Sequence, residues 1–381
     1  MTIIKKILIL PLLLLSLFTT LGQKNFFSDK AATKETVLLY QNLKRSAQSG
    51  FLFGHQDDLA YGIHWKYQKD SSDVKSITGD YPGLFGWDLS GLESDHDKDI
   101  DRNPFSLVKK WVEWAYEQGG VNTFSWHCPS PLGNGKTAWD TTQGTVESIL
   151  PGGINHALYQ TWLDKVATFL NSLKGSQGEA IPILYRPFHE LTGNWFWWCA
   201  NTCSAEDFKK LWRYQIHYLR DVKHVHNILV VYNPSDNFKD ENGYLERYPG
   251  DDVVDVLSLD SYQSKDAATS DVFEKNLDYC LSVIEKIADE KGKPFALAET
   301  GYERVPYATW WTDKLMKGIS HHKIAYMLVW RNAGQIGTPE HPHIHYYVPF
   351  NGDISGDDFI KFYNLKSTLF LKDAAKEKLY N

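Results

Sequence analysis

The chain has 381 residues, 43% of them hydrophobic and 23% charged, with a formal net charge of −7. That length and composition suit a folded protein with a large core. The acidic balance, with no long basic run against it, argues against nucleic acid as a partner.

At the N-terminus, Lys5 and Lys6 precede an apolar run over 7–18 that is broken only by Pro11 and Ser16. Thr20-Leu21-Gly22 then offers small residues before Gln23. This is the layout of a secretory signal peptide, too short for a comfortable membrane span. Residues 1–22 are expected to be removed and 23–381 to form one domain, exported to the periplasm or the medium. No cysteine follows the apolar run, so no lipid anchor is indicated. Export permits disulfides, and Cys199 and Cys203 are close enough in sequence to bridge. Four free thiols are the alternative.

Helical spacing of Val37, Leu38, Leu39 and Leu43 over 33–48 ends at Gly50. From there short apolar or aromatic runs recur, at 51–53, 83–87, 120–126, 181–185, 227–232, 253–259, 294–298 and 325–330. Amphipathic stretches separate them, including 105–118, 156–173, 205–222, 272–291 and 307–319. Strands alternating with helices of this length imply parallel pairing through crossover units. Eight such units predict an α/β fold, a single (β/α)8 TIM barrel. An open doubly wound sheet is the alternative, but no Gly-rich phosphate turn follows the first strand.

Long loops are expected after strands 3 and 8. The first, over 128–153, holds Pro129, Pro131, Gly133, Gly135, Trp139 and Gly144; the second, over 333–352, carries His341, His343 and His345. Both should shape a cleft.

Each apolar run leads straight into reactive side chains. These are Gly54-His55-Gln56-Asp57, Asp88, His127, His189-Glu190, Asn233, Asp260-Ser261-Tyr262, Glu299-Thr300 and Arg331-Asn332. In a barrel they converge on the C-terminal rim, where such enzymes keep their active sites. The densest stretch follows the fourth run, where Arg186-Pro187 leads into His189-Glu190 and then, past Gly193, into Trp195-Phe196-Trp197-Trp198. Sugar rings stack their C–H faces on such aromatics while their hydroxyls seek polar groups. Trp195, just after the turn-forming Gly193-Asn194, is the expected sugar contact. Trp197 and Trp198 are open to a packing role.

Glu190 and Glu299 end the fourth and seventh runs. Glycosidic hydrolysis needs one carboxyl to protonate the leaving oxygen and a second to meet the oxocarbenium-like carbon. Carboxyls about 5–5.5 Å apart give a covalent intermediate and retention, whereas a wider gap admits water and inverts.

The run Arg186-Pro187-Phe188-His189-Glu190 with Gly193-Asn194-Trp195-Phe196-Trp197-Trp198 closely resembles the acid/base motif of glycoside hydrolase family 26, best known for endo-β-1,4-mannanases. Gly54-His55-Gln56-Asp57, Gly86-Trp87-Asp88, Ser125-Trp126-His127, Ser258-Leu259-Asp260-Ser261-Tyr262, Glu299-Thr300-Gly301 and Trp330-Arg331-Asn332 look like further family segments in the family's order. The resemblance covers about residues 33–370. One departure is Cys199, where the family often carries glycine.

The resemblance implies a retaining (β/α)8 enzyme with no cofactor, acting on β-mannan polysaccharide or manno-oligosaccharides. It makes Glu190 the general acid and then base, and Glu299 the nucleophile. Tyr262 and His189 match positions that hydrogen-bond the nucleophile. Trp330 matches the aromatic floor at the cleavage point, and Trp195 and His127 match contacts to the sugar on the leaving side. Asp260 is a polar contact near the nucleophile, Arg331 one further along the glycone side, and Trp139 an outer sugar platform. Mixed-linkage β-glucanase and β-1,3-xylanase activities share the same catalytic pair, and a glycan-binding protein of this fold is the non-catalytic alternative. A monomer is expected. No metal site is expected, because the spacing of His341, His343 and His345 lacks a supporting cysteine or acidic ligand.

Overall fold

The computed structural model describes residues 27–338 and 340–381. The expected signal peptide, 1–22, lies outside the described residues. Among those described, no helix is long and apolar enough to cross a membrane.

The predicted barrel is present. Its strands are β1 (Phe51–Gln56), β2 (Leu84–Asp88), β3 (Val121–Ser125), β4 (Ile183–Arg186), β5 (Ile228–Tyr232), β6 (Val256–Tyr262), β7 (Phe295–Gly301) and β8 (Tyr326–Val329). They pair in parallel in sequence order, and β8 closes onto β1. A two-residue strand, Thr368–Leu369, pairs with the first residues of β1. Several strands run further than their apolar stretches, to Gln56, Tyr262 and Gly301. Most of their last residues are polar because they lie at the barrel mouth, yet each is still paired to one neighbouring strand, Gln56 to Gly86 and Tyr262 to Gly301. Hydrophobicity therefore stops before the strand does.

Alternation along each strand divides the core in two. Leu52, Leu84, Val121, Leu184, Leu229, Val231, Val256, Ala296, Tyr326 and Leu328 form one buried cluster, the barrel interior. The helix Lys34–Ser46 closes the lower end, since its Leu39, Tyr40 and Leu43 join that cluster. The intervening residues, among them Phe53, Phe85, Phe124, Tyr185, Val230 and Leu297, pack outward into a second cluster with the helices.

The helices Phe105–Glu117, His156–Ser172, Ala205–His217 and Val272–Lys291 follow β2, β3, β4 and β6. Ser204 caps the third, accepting the Asp207 N–H. The stretch expected as one helix over 205–222 instead changes to a π-helical turn at Tyr218–Val222. Long connections follow β3 and β8, as predicted. The second folds into an antiparallel hairpin of β9 (Gly334–Thr338) and β10 (His341–His345). A further elaborate connection, not foreseen, lies between β1 and β2, with the small hairpin Tyr61–Gly62/Trp65–Lys66 and the helix Asp73–Thr78.

Candidate active site

The upper layer of the barrel interior is polar. Arg186 has the inward parity of Leu184, and Asp260 and Tyr262 that of Val256. Arg186 is almost fully buried, with Nη1 3.2 Å from Asp260 Oδ2 and 3.1 Å from Asn233 Oδ1. Its Nη2 donates to Glu299 Oε1. Burial works against the guanidinium's charge, but Glu299 and Asp260 outweigh it and its pKa is raised. Tyr262 donates its hydroxyl to the other oxygen of Glu299 at 2.7 Å. Glu299 is thus a buried carboxylate with a donor on each oxygen.

Glu190 lies beyond β4, in a turn where Phe188 and Glu190 both adopt positive φ, 50° and 55°. Such conformations strain side-chain-bearing residues and persist only where surroundings enforce them. Here the Glu190 N–H donates to Asn233 O at 2.7 Å, and the Trp198 indole donates to His189 O at 2.8 Å. Trp197 donates likewise to Cys128 O at 2.8 Å, and both indoles are fully buried, so the two tryptophans are packing that shapes the turn. Trp195 is 36% exposed and donates to Glu190 Oε2 at 2.6 Å.

One oxygen from each of Glu190, Asp260 and Glu299 lies within 4.8 Å of the other two. Burial first, and then the charge of Glu299, push Glu190 up to about 7. Burial and Glu299 also raise Asp260 well above the usual carboxylate range. The site therefore offers a carboxyl that holds its proton near neutrality beside a carboxylate held by two donors. At this spacing there is no room for a water between sugar and carboxylate, so the pair can act by double displacement.

His127 Nδ1 lies 2.8 Å from Asp88 Oδ2. Burial disfavours its charge, but Asp88 prevails and raises its pKa, while that of Asp88 is lowered. Burial, the His127 charge and Arg186 hold His189 well below the usual histidine range. The two rings meet Nε2 to Nε2 at 3.2 Å, so one of these nitrogens carries the proton that the other accepts. His189 was expected to orient Glu299. It binds His127 instead, and Arg186 and Tyr262 hold the carboxylate, because Arg186 fills the space beneath it.

Trp139 is half exposed and stacks on His127 at 5.3 Å with an interplanar angle of 17°. It therefore borders the same basin as His127 while leaving part of its ring open. Trp330 is partly buried on the inward side of β8, 6.2 Å from His127 between ring centroids. Arg331 pairs with Asp101 at 3.0 Å. It borders a cleft of about 890 Å³ between the Tyr61–Lys66 region and β9. Cys199 and Cys203 are free thiols: Cys199 donates to Glu190 O at 3.3 Å, and the Cys203 sulfur accepts from Arg247 at 3.0 Å.

Asp88 and Asn233 stood among the rim side chains and Arg186 within the motif, but none of the three was assigned a role in the site. Arg186 carried a signal: a cation at an inward position, two residues after a core leucine, needs buried carboxylates for partners.

The profile of glycosyl hydrolase family 26 matches residues 28–331. A mannan endo-1,4-beta-mannosidase of Bifidobacterium adolescentis is 34% identical over 361 residues, covering 90% of this chain and 35% of that protein. One from Bacillus subtilis is 28% identical over 264 residues, covering 65% of this chain and 64% of that protein. The chain thus spans 35% of the first relative and 64% of the second. A GH26 beta-mannanase structure from Bacteroides ovatus superimposes with a TM-score of 0.85 at 42% identity, covering 92% of this chain and 98% of that one.

Proposed function

The chain belongs to glycosyl hydrolase family 26, and on that premise we propose that it is a retaining endo-β-1,4-mannanase cutting β-mannan or galactomannan. The observation that carries the mechanism is the pair Glu190 and Glu299, with Glu190 pushed up to about 7 and the two carboxylates within 4.8 Å. The relatives named above as mannan endo-1,4-beta-mannosidases supply the substrate class.

Glu299 attacks the anomeric carbon while Glu190 gives its proton to the leaving oxygen. The carboxylate's negative charge is lost on forming the ester, so the repulsion that helps Glu190 keep a proton is removed. Glu190 then becomes more acidic and takes a proton from the incoming water. Arg186 and Tyr262 hold the Glu299 carboxyl group in place and aim it. Trp330 floors the sugar at the cleavage point, and Trp195, Trp139 and His127 line the basin on the leaving side. Arg331 reads the glycone side. The working enzyme is a monomer, with 23–381 as its catalytic domain, exported by a signal peptide over 1–22.

A reducing-sugar assay across β-mannan, galactomannan, lichenan and xylans tests the reading. Release from the mannans should dominate. Release from lichenan or xylan alone would overturn the substrate assignment and leave the chemistry standing, whereas binding without release would make the protein a lectin-like member of the fold.

A further inference from the structure

The hairpin that follows β8 places His343 and His345 at alternate positions of β10, on one side of the strand. Glu303 approaches them from the loop just beyond β7. One donor atom from each of the three lies within 4.8 Å of the other two. Glu303 Oε1 is 3.2 Å from His345 Nδ1 and 3.8 Å from His343 Nε2. Around a tetrahedral zinc ion with bonds of about 2.0–2.1 Å, neighbouring donors stand about 3.3–3.4 Å apart. Two of the three separations bracket that edge and the third lies within 4.8 Å, so modest side-chain rotations would close the set on an ion. Two imidazoles and one carboxylate form a donor set that zinc accepts, with a fourth position left for water.

We propose that Glu303, His343 and His345 bind a divalent first-row transition-metal ion of the zinc class. Without metal, the proton on His345 Nδ1 is shared with Glu303. On binding, that proton passes to Nε2, so the ring stays neutral, and the Nδ1 lone pair goes to the metal. Nε2 of His345 is buried with no hydrogen-bond partner among the described residues, so it is free to take the proton.

The ion ties β10, a hairpin strand at the cleft edge, to the rim of β7. That tie reaches the reacting centre through two ring contacts. His345 packs edge-on against Tyr347 at 5.2 Å, and Tyr347 packs against Tyr262 at 5.8 Å. Tyr262 in turn donates to Glu299. Gly301 makes room for this stack, since a Cβ there would lie 2.3 Å from the Tyr347 ring. The inference is independent of which polysaccharide is cut.

The test uses the whole protein, stripped with EDTA, dialysed and titrated with zinc chloride by calorimetry. One equivalent should bind, with a rise in melting temperature. Co²⁺ in its place should give the visible absorption of a low-coordinate ion. His343→Ala and His345→Ala should each weaken binding by about tenfold or more. Glu303→Gln, on the other element, should do the same, which covers the case of a hairpin disordered by the histidine changes. No binding at micromolar zinc, or binding unchanged in a His343→Ala/His345→Ala double variant, would overturn the proposal.

Discussion

Asp260 stands opposite Glu299 across β6 and β7, although Leu259, one residue earlier, stands opposite Leu297. On the other side of β7, Met327 faces Leu297 and Val329 faces Thr300. Both neighbours therefore see one extra residue in β7, a β-bulge between Leu297 and Thr300. Leu297 packs outward among the helices, and Glu299, two residues on, would follow it there in regular alternation. The bulge reverses the parity and turns the carboxylate inward onto Arg186 and Tyr262. A single inserted residue thus separates a buried, unpaired carboxylate in an apolar layer from one held by two donors at the barrel mouth.

If Glu299 forms the covalent bond, Glu299→Ala should abolish polysaccharide turnover. Azide or formate, small enough to occupy the vacated space, should then restore a product of opposite anomeric configuration. Proton NMR of the first-formed product reads the outcome; rescue with retained configuration would move the nucleophile elsewhere.

Glu190→Ala removes the proton donor and should slow polysaccharide hydrolysis by about 10²–10⁴-fold. Aryl glycosides with activated leaving groups need no proton, so their glycosylation step should be nearly unaffected. Equal losses on both substrate types would contradict the assignment.

If Glu190 is the general acid it must be protonated to act, and it is pushed up to about 7. Activity should therefore fall as pH rises through that value. The Trp195 N–H, 2.6 Å from Glu190 Oε2, favours the ionised form. Trp195→Phe keeps the ring but loses the donor, so the descending limb of the pH–kcat/KM profile should move to higher pH. A shift the other way would refute the hydrogen bond's role.

The same carboxyl links folding to pH. Its ordinary value is 4.5 and its folded value about 7, so between the two the folded chain holds a proton the unfolded chain has released. Stability should fall as pH rises across that window. Glu190→Gln removes the penalty: its melting temperature should exceed the parent's at pH 8 and match it at pH 4. An equal gain at both pH values would point to packing instead.

Arg186 is buried between Asp260 and Glu299. Arg186→Met leaves those carboxyls without their cation and should cost about 3–5 kcal/mol in chemical denaturation. Arg186→Lys restores charge but not the two-pronged geometry, so it should recover stability better than activity.

The parallel barrel was legible because alternating β and α segments of this length pack in few ways, and its strand order follows the chain. Glu190 and Glu299 were legible because a carboxylate ending an apolar run has few harmless places to go. His189 was harder, since its motif position did not tell whether it faces Glu299 or His127. The stacking of Trp139 on His127 was not legible, because it depends on the path of the long loop over 128–153.

By itself the sequence determined the fold class and the rim on which its polar side chains gather, both of which follow from periodicity and from the order of segments. Only the tertiary structure decided which way those groups point and what they meet. The bulge in β7 arises from pairing with both neighbours at once. The Arg186 ion pairs join three strands. The grouping of Glu303 with His343 and His345 joins residues from two separate loops. Each is a contact between segments far apart in the chain, and local patterns carry no record of such distances.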